Sequence, residues 1–365
     1  MLRYMLCFLP VMAVAQVEQG APNATFAPEF DGQTRAASLP ASQVEVSVFA
    51  SGLDGPWGMA ALDDGRFLVT ESAGRMVILD PDGAMAGEVR GLPDVASAGQ
   101  GGLLDVAVQG DVVYWTYSKP VRGGAALAAG RGVLGPDGML TDVADIFVQS
   151  PVVRGGRHFG SRIIPMADGS VWITSGDRGN PSLVQDEATT VGKVIRISPQ
   201  GQAAVWSTGH RNIQGAAMGP DGLWTVEHGP RGGDELNRPE QGKNYGWPIV
   251  SYGIDYSGAD IGAGIALSAG LEPPVYYWDP VIAPAGMVFY PADGFADWRG
   301  DLFVSSLNPG GVNRLKLDGG RVIGEERLLA DVGRVRDLHV LPDGDLLVVL
   351  DGPRADILRV SPMTQ

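Results

Sequence analysis

Between Glu227 and Pro248 the chain reads EHGPRGGDELNRPEQGKNYGWP, a run that mixes turn-formers, carboxylates, guanidinium and aromatics with no apolar period. Such a run builds little core. Gly229, Gly232 and Gly233 admit backbone conformations closed to other residues, and Pro230 has no N–H, so the carbonyls of Gly229 and Pro230 are free to face a ligand. Asp234 and Glu235 add anionic oxygens a few residues on, and a mixture of carbonyl and carboxylate donors suits Ca²⁺. The segment reads first as a binding site and only second as a loop.

The histidines differ in what surrounds them. His158, in RGGRHFGSRI, follows a Gly-rich turn and precedes a strand, and Asp177 in SGDRGN lies one hairpin later, where a carboxylate can orient an imidazole as general base. His with Asp is a weak signal, and a surface-loop histidine is the competing reading. His339, in RDLHVLPDG, alternates with apolar residues entering a strand and reads as structural. Arg211 beside Asn212 in HRNIQG, and Arg334 with Arg336 in GRVRDL, offer planar forks that suit carboxylates. Alternate residues of a strand share a face, so Arg334 and Arg336 can reach one anion together. Singly each would pair with a local carboxylate such as Asp331 or Asp337; gathered in a chain of net charge −15 they favour a small polyanion. Zinc is disfavoured, because the only cysteine is Cys7 and no two histidines show His-x-x-x-His spacing. No Gly-x-Ser-x-Gly elbow occurs, and GQGGLLD lacks the ending of a phosphate loop.

These groups are far apart in sequence, so the elements that carry them must converge. Fifty-three glycines spread over 365 residues suit short strands joined by tight turns. A turn bearing Asp-Gly or Gly-Asp and then an apolar run recurs as DDGRFLVTES, GDVVYWTYS, ADGSVWITSGD, PDGLWTVEHG, RGDLFVSSL and PDGDLLVVLDG. Several are followed by a second strand-like run: GRMVILD, GKVIRIS, GVNRLKL and ADILRVS. Copies spaced on the order of 50 residues predict an all-β chain, a six-bladed β-propeller of four-stranded antiparallel sheets over residues 44–365. A pair of β-sandwiches or a β-helix is the competing architecture. In a propeller, loops at one end of the channel share a pocket.

The ends of the chain read differently. Residues 1–15, MLRYMLCFLPVMAVA, have an early Arg, an apolar run too short to span a bilayer and an Ala-Val-Ala ending, the pattern of a secretory signal peptide cleaved near Ala15. The mature chain is then periplasmic or secreted, without a membrane span, and without a thiol because Cys7 is removed. Residues 16–43 read as an extended lead-in. The acidic charge opposes nucleic acid as a partner, and a monomer or weak dimer is expected.

Taken jointly, LDGPWGMAAL, GQGGLLDVAV, RHFGSRI, GDRGN, GHRNIQG, EHGPRGGDELN, GKNYGWP and RVRDL resemble, in consistent order over about 44–362, the soluble aldose sugar dehydrogenases that use pyrroloquinoline quinone. The resemblance implies a six-bladed propeller, with His158 as the base that takes the sugar's anomeric hydroxyl proton and Asp177 holding its imidazole. It implies that Gln100, Arg211, Asn212, Arg334 and Arg336 bind the quinone cofactor. The carbonyls of Gly229 and Pro230 would hold a Ca²⁺ at that cofactor, and Glu235 with the backbone of Tyr245 a second, structural Ca²⁺. The implied substrate is an aldose, oxidised to its lactone, with electrons passed to an unidentified acceptor. One departure is visible: where the family places a lysine after the strand matching LFVSSL, Asn308 follows Leu307, and Lys316 lies within the next strand. Two readings stay open beside the dehydrogenase: a non-catalytic propeller that binds a glycan or protein, and a Ca²⁺-dependent lactonase that needs no quinone.

Overall fold

The computed structural model describes residues 15–363; the signal-peptide expectation falls almost wholly on residues 1–14, outside the described ones. After a first strand, β1 (Val44–Leu53), the chain lays down sheets in order. Blade 1 is β2 (Pro56–Ala61), β3 (Phe67–Glu71), β4 (Arg75–Leu79) and β5 (Met85–Glu88). Blade 2 is β6 (Leu103–Gln109), β7 (Val112–Val121), β8 (Gly124–Leu134) and β9 (Leu140–Val148). Blade 3 is β10 (Gly160–Pro165), β11 (Val171–Ser175), β12 (Lys193–Ile197) and β13 (Ala203–Thr208). Blade 4 is β14 (Ile213–Gly219), β15 (Gly222–Glu227), β16 (Asp234–Asn237) and β17 (Tyr276–Trp278). Blade 5 is β18 (Pro284–Phe289), β19 (Leu302–Ser306), β20 (Val312–Asp318) and β21 (Arg321–Leu328). Blade 6 holds β22 (Val335–Val340), β23 (Leu346–Leu350) and β24 (Ala355–Pro362) and takes its outer strand from β1, which pairs antiparallel with β24. The result is the expected six-bladed propeller, closed by joining the two ends of the chain.

The six turn-and-strand copies fall on β3, β7, β11, β15, β19 and β23, the second strand of every blade. That position explains their composition. A second strand has a blade against each face, so it is apolar on both sides and has no period of two; β3, β11 and β19 are buried at every residue. Outer strands such as β5 and β13 are mostly exposed. Trp115 and Trp224, in the second strands of blades 2 and 4, are essentially fully buried between blades.

The innermost strands β2, β6, β10, β14, β18 and β22 pack in a ring around the channel. Each carries a register shift near its start, at Pro56/Met59, Leu103/Val106, Gly160/Ile163, Ile213/Gly215, Pro284/Met287 and Val335/Asp337. A bulge bends the strand and re-aims its side chains. Trp57, Asp105, Arg162, Gln214 and Arg336 lie within these irregularities, and they meet. Arg162 ion-pairs with Asp105 and Asp337 at 3.0 Å each, donates to the Gln214 carbonyl at 2.7 Å, and lies 4.6 Å from the Trp57 ring. Burial, and then the neighbouring Asp337 charge, push the Asp105 carboxyl up, while Arg162 opposes both. Removing Arg162 would leave two buried carboxylates uncompensated, a loss of about 3–5 kcal/mol.

Residues 16–43 form an extended strap on the outer edges of blades 4 and 5. Ala37 and Leu39 exchange backbone bonds with Glu325 of β21, each 2.9 Å, and Gln33 accepts from the Tyr277 amide of β17 at 2.9 Å. Gln19, buried, donates to the Tyr276 hydroxyl and to Glu325. No helix among the described residues is long and apolar enough to cross a membrane.

Candidate active site

A cavity of about 510 Å³ opens at the bulged end of the channel, lined by Trp57, Gln100, Gln214, His228, Arg334, Arg336 and Asp351 among others. Arg334 precedes β22, and Arg336 sits in its bulge. The carboxylate that joins them is Asp351, at the end of β23, and neither of the nearby acids Asp331 and Asp337 does so: Arg334 Nε donates to it at 2.7 Å and Arg336 Nη2 at 3.1 Å. Arg334 also donates to the Leu307 carbonyl (3.0 Å) and Arg336 to Gln214 Oε1 (2.9 Å). Two guanidinium groups against one carboxylate leave the wall cationic. Leu307 lines this cavity, whereas Lys316 lines a separate groove on the outside of blade 5 beside Trp298, so it supplies no charge here.

His158 stands at the turn into β10 with φ of +52°, a strained left-handed conformation for a non-glycine residue. Gln100 holds it there, its Oε1 accepting the His158 amide at 2.7 Å. The imidazole Nδ1 meets Asp177 Oδ1 at 2.7 Å. The Gly179 amide donates to the same oxygen at 2.7 Å, and Trp247 Nε1 donates to Oδ2 at 2.9 Å. Burial pushes the Asp177 carboxyl up, but the hydrogen bond and charge of His158, the Gly179 amide and the Arg211 charge together hold it below the ordinary value. With Asp177 ionised, the shared proton belongs to Nδ1, which leaves the lone pair of a neutral ring on Nε2, an arrangement able to accept a proton.

Arg211 and Asn212 follow the next outer strand and reach the same end of the channel. The Asp177 amide donates to the Arg211 carbonyl (2.7 Å), and the Gly160 amide to Asn212 Oδ1 (3.1 Å). Arg211 lies 5.3 Å from the Trp247 ring and donates to the His228 carbonyl at 3.1 Å. Arg211 Nε and Asn212 Nδ2 are both buried without a partner among the described residues. Two orphaned donors in one site call for an acceptor from a ligand.

A second, small cavity of about 10 Å³, room for one ion or water, adjoins through His228. Its wall includes Arg211, Glu227, Gly229, Pro230, Glu235 and Tyr245. Burial, and then the Glu227 charge, push the Glu235 carboxyl up. Asp234 faces away from this cavity's chemistry: its oxygens accept the amides of Gly229, Ile282 and Ala283, each at 2.7 Å, and so shape the loop. Burial still pushes Asp234 up to about 7 against those bonds. Burial and the Arg211 charge push His228 down to about 3, so it is neutral and donates Nε2–H to the Pro284 carbonyl at 2.7 Å. His339 packs edge-on against Phe67 at 5.8 Å, a structural histidine as its pattern indicated.

Thus Gln100, Arg334 and Arg336 share the large cavity, and Arg211, Gly229, Pro230, Glu235 and Tyr245 the small one. His158, Asp177 and Asn212 join them through hydrogen bonds. Sequence reasoning missed the roles of Trp247, Asp351, Gln214 and His228. Trp247 and His228 lie inside the motifs quoted above, and Asp351 ends a blade repeat; their contacts, such as Trp247 to Asp177, are too distant in sequence to be read from a pattern.

A six-bladed propeller with a His–Asp pair near a cavity walled by arginines is an enzyme-like arrangement, and the comparisons identify the family. Residues 53–359 match the model of the glucose/sorbosone dehydrogenase family, to which this chain belongs. It is 38% identical over 345 residues to the aldose sugar dehydrogenase YliI of Escherichia coli (strain K12), covering 87% of this chain and 93% of that protein. The crystal structure of the soluble aldose sugar dehydrogenase from Escherichia coli in the apo-form superposes with TM-score 0.83, covering 88% of this chain and 100% of that one. The PQQ-bound aldose sugar dehydrogenase of Streptomyces coelicolor is 26% identical with TM-score 0.70, covering 88% and 99%.

Proposed function

We propose that this chain is a periplasmic dehydrogenase that oxidises an aldose at its anomeric carbon to the lactone, using pyrroloquinoline quinone and two Ca²⁺ ions, one at the cofactor and one structural. The observation that carries the reading is the His158–Asp177 pair, whose Nε2 has no partner among the described residues, near Arg211 Nε and Asn212 Nδ2, two buried donors that likewise lack acceptors there.

The residues present fit such a cofactor. Arg334, Arg336 and the orphaned donors of Arg211 and Asn212 suit carboxylate and carbonyl oxygens, with Gln100 beside them. Among the described residues, none donates a hydrogen bond to the carbonyls of Gly229, Pro230 or Tyr245, so all three remain available to a hard cation. No group of three or more acidic, His or Cys side chains with metal-holding geometry occurs among those residues, so the ions would depend on these carbonyls and Glu235. When bound, the quinone supplies a two-electron acceptor for hydride, and Ca²⁺ polarises it.

The protein's own part is proton chemistry and positioning. His158 Nε2 takes the anomeric hydroxyl proton as the C–H bond breaks, and Asp177 stabilises the imidazolium that results. Gln100 and the strained backbone fix the direction of the ring. Trp247 holds the second Asp177 oxygen and covers Arg211, keeping water from both. Electrons leave to an external acceptor. The early Arg, apolar run and Ala-Val-Ala of residues 1–15 support the periplasmic reading. The test is reconstitution: metal-free protein given quinone and Ca²⁺ should reduce an artificial dye with glucose or another aldose. Saturable quinone binding with no turnover across a sugar panel would overturn the substrate assignment.

A further inference from the structure

The strap carries a contact that its distance from the channel does not suggest. Asp279 is 4% exposed; among the described residues no cation forms an ion pair with its carboxylate, and the N–H groups they give it all come from the strap. Asn23 donates its amide to Oδ1 at 2.8 Å and its Nδ2 to the same oxygen at 2.9 Å, and the Ala24 amide donates to Oδ2 at 2.9 Å. Asn23 Oδ1 in turn accepts from Arg231 Nε at 3.1 Å. Arg35, also of the strap, donates to the Asp279 carbonyl at 2.8 Å.

On its other side, Asp279 is the surface against which the Gly229–Gly233 turn is built. Gly232 has φ of +82°, and a Cβ there would lie 2.6 Å from Asp279 Oδ1, so the carboxylate occupies the space a side chain would need. The Gly233 amide donates to the carbonyl of Trp278, the residue before Asp279, at 2.9 Å. Gly229 lies directly on that turn: its absent Cβ would come within 2.4 Å of the carbonyl oxygens of Gly232 and Gly233. Displacing Asp279 therefore displaces Gly232, and displacing Gly232 moves Gly229. Without the Asn23 side chain the carboxylate keeps only the amides of residues 23 and 24, and Arg231 loses its tie to the strap, so both sides of the turn are held more loosely.

We propose that the strap is a latch for the cofactor loop, in which Asn23 is a positioning residue that acts through Asp279 and Arg231 to set the carbonyls of Gly229 and Pro230. The inference rests on the reading of those carbonyls as metal-facing. The latch puts a residue upstream of every blade in control of the geometry at the channel mouth.

The experiment compares Asn23→Ala and Asn23→Asp with Gln19→Ala, which removes a strap anchor at Tyr276 and Glu325 and touches no residue from Arg231 to Gly233. Amide hydrogen exchange is measured on the full chain without metal or quinone. In Asn23→Ala the amides of Arg231 and Gly233 should exchange about tenfold faster while the inner strands keep wild-type rates, and Asn23→Asp, which sets a carboxylate against Asp279, should show more. Gln19→Ala should leave those two amides unchanged relative to the rest of the molecule. Wild-type rates at Arg231 and Gly233 in both Asn23 variants, or an even acceleration matching Gln19→Ala, would overturn the latch. A Ca²⁺ titration followed by thermal unfolding separates the two ideas: the Asn23→Ala midpoint should rise about tenfold. Faster exchange with an unchanged Ca²⁺ midpoint would uphold the latch and sink the metal reading of the loop.

Discussion

Two histidine–carboxylate pairs occupy neighbouring blades, and they are nearly superposable in their chemistry. His158 Nδ1 meets Asp177 at 2.7 Å, and His210 Nδ1 meets Glu227 at 2.8 Å. They differ at the other ring nitrogen. His210 Nε2 is hydrogen-bonded to Ser207 Oγ at 2.8 Å, the ring stacks on Tyr245, and the side chain is fully buried. His158 keeps 15% of its side chain exposed, and among the described residues no group bonds its Nε2. The Ser207–His210–Glu227 array has the order of a hydrolase triad, but its serine is buried and bonded to His210, whereas the His158 ring keeps a nitrogen without a partner among the described residues. A base is defined by where its free nitrogen points, and the carboxylate partner alone does not identify it.

The largest expected effect tests the open pair. His158→Ala should lower turnover of the quinone- and Ca²⁺-loaded enzyme by about 10³-fold while quinone binding, followed by absorbance, stays at the wild-type level. Turnover retained within a few fold would remove His158 as the base. Asp177→Asn should cost about 10²-fold in turnover, and it carries a pH signature. Because the folded Asp177 carboxyl is held below its ordinary value of 3.8, its contribution to stability is present above that pH and lost as pH falls through the lowered value. Urea unfolding should show the wild-type and Asp177→Asn curves separated above about pH 4 and converging in stronger acid.

The buried pair should respond in the opposite sense. His210→Ala should lower stability by about 2 kcal/mol, since Glu227 would keep the Arg211 amide at 2.6 Å and Asn237 at 3.0 Å. Turnover per folded molecule should change only a few fold; a loss as deep as that of His158→Ala would break the distinction drawn here. The smallest effect belongs to Ser207→Ala, about 1 kcal/mol in stability with no change in turnover. Any lactone or ester hydrolysis abolished by that substitution would make the buried array a second active site.

Much of the propeller was legible because its second strands share one physical problem. Each is buried on both faces and entered through a tight turn, so DGRFLVTE and DGDLLVVL repeat a composition. Closure by β1 was not legible, since Val44–Leu53 lacks that marker and its pairing with β24 spans the chain. The bulges were hidden too, because register depends on the partner strand. At the site, Gly229, Pro230 and the arginines stood out as residue types that a core does not use. Trp247 did not, for a tryptophan in a loop reads as packing until its Nε1 is seen on Asp177. The lead-in read as an unremarkable extended segment because its hydrogen bonds go to residues at the far end of the sequence.

The joining of β1 to β24 has a consequence for the history of each molecule. Arg334, Arg336 and Asp351 all lie in or beside the blade that is completed by both ends of the chain, so this part of the channel mouth's charge is set in place when the final strands dock on the first. A chain that ends before β24 would leave β1 and β23 without their shared partner, so the blade that carries Arg334, Arg336 and Asp351 would be the one left incomplete.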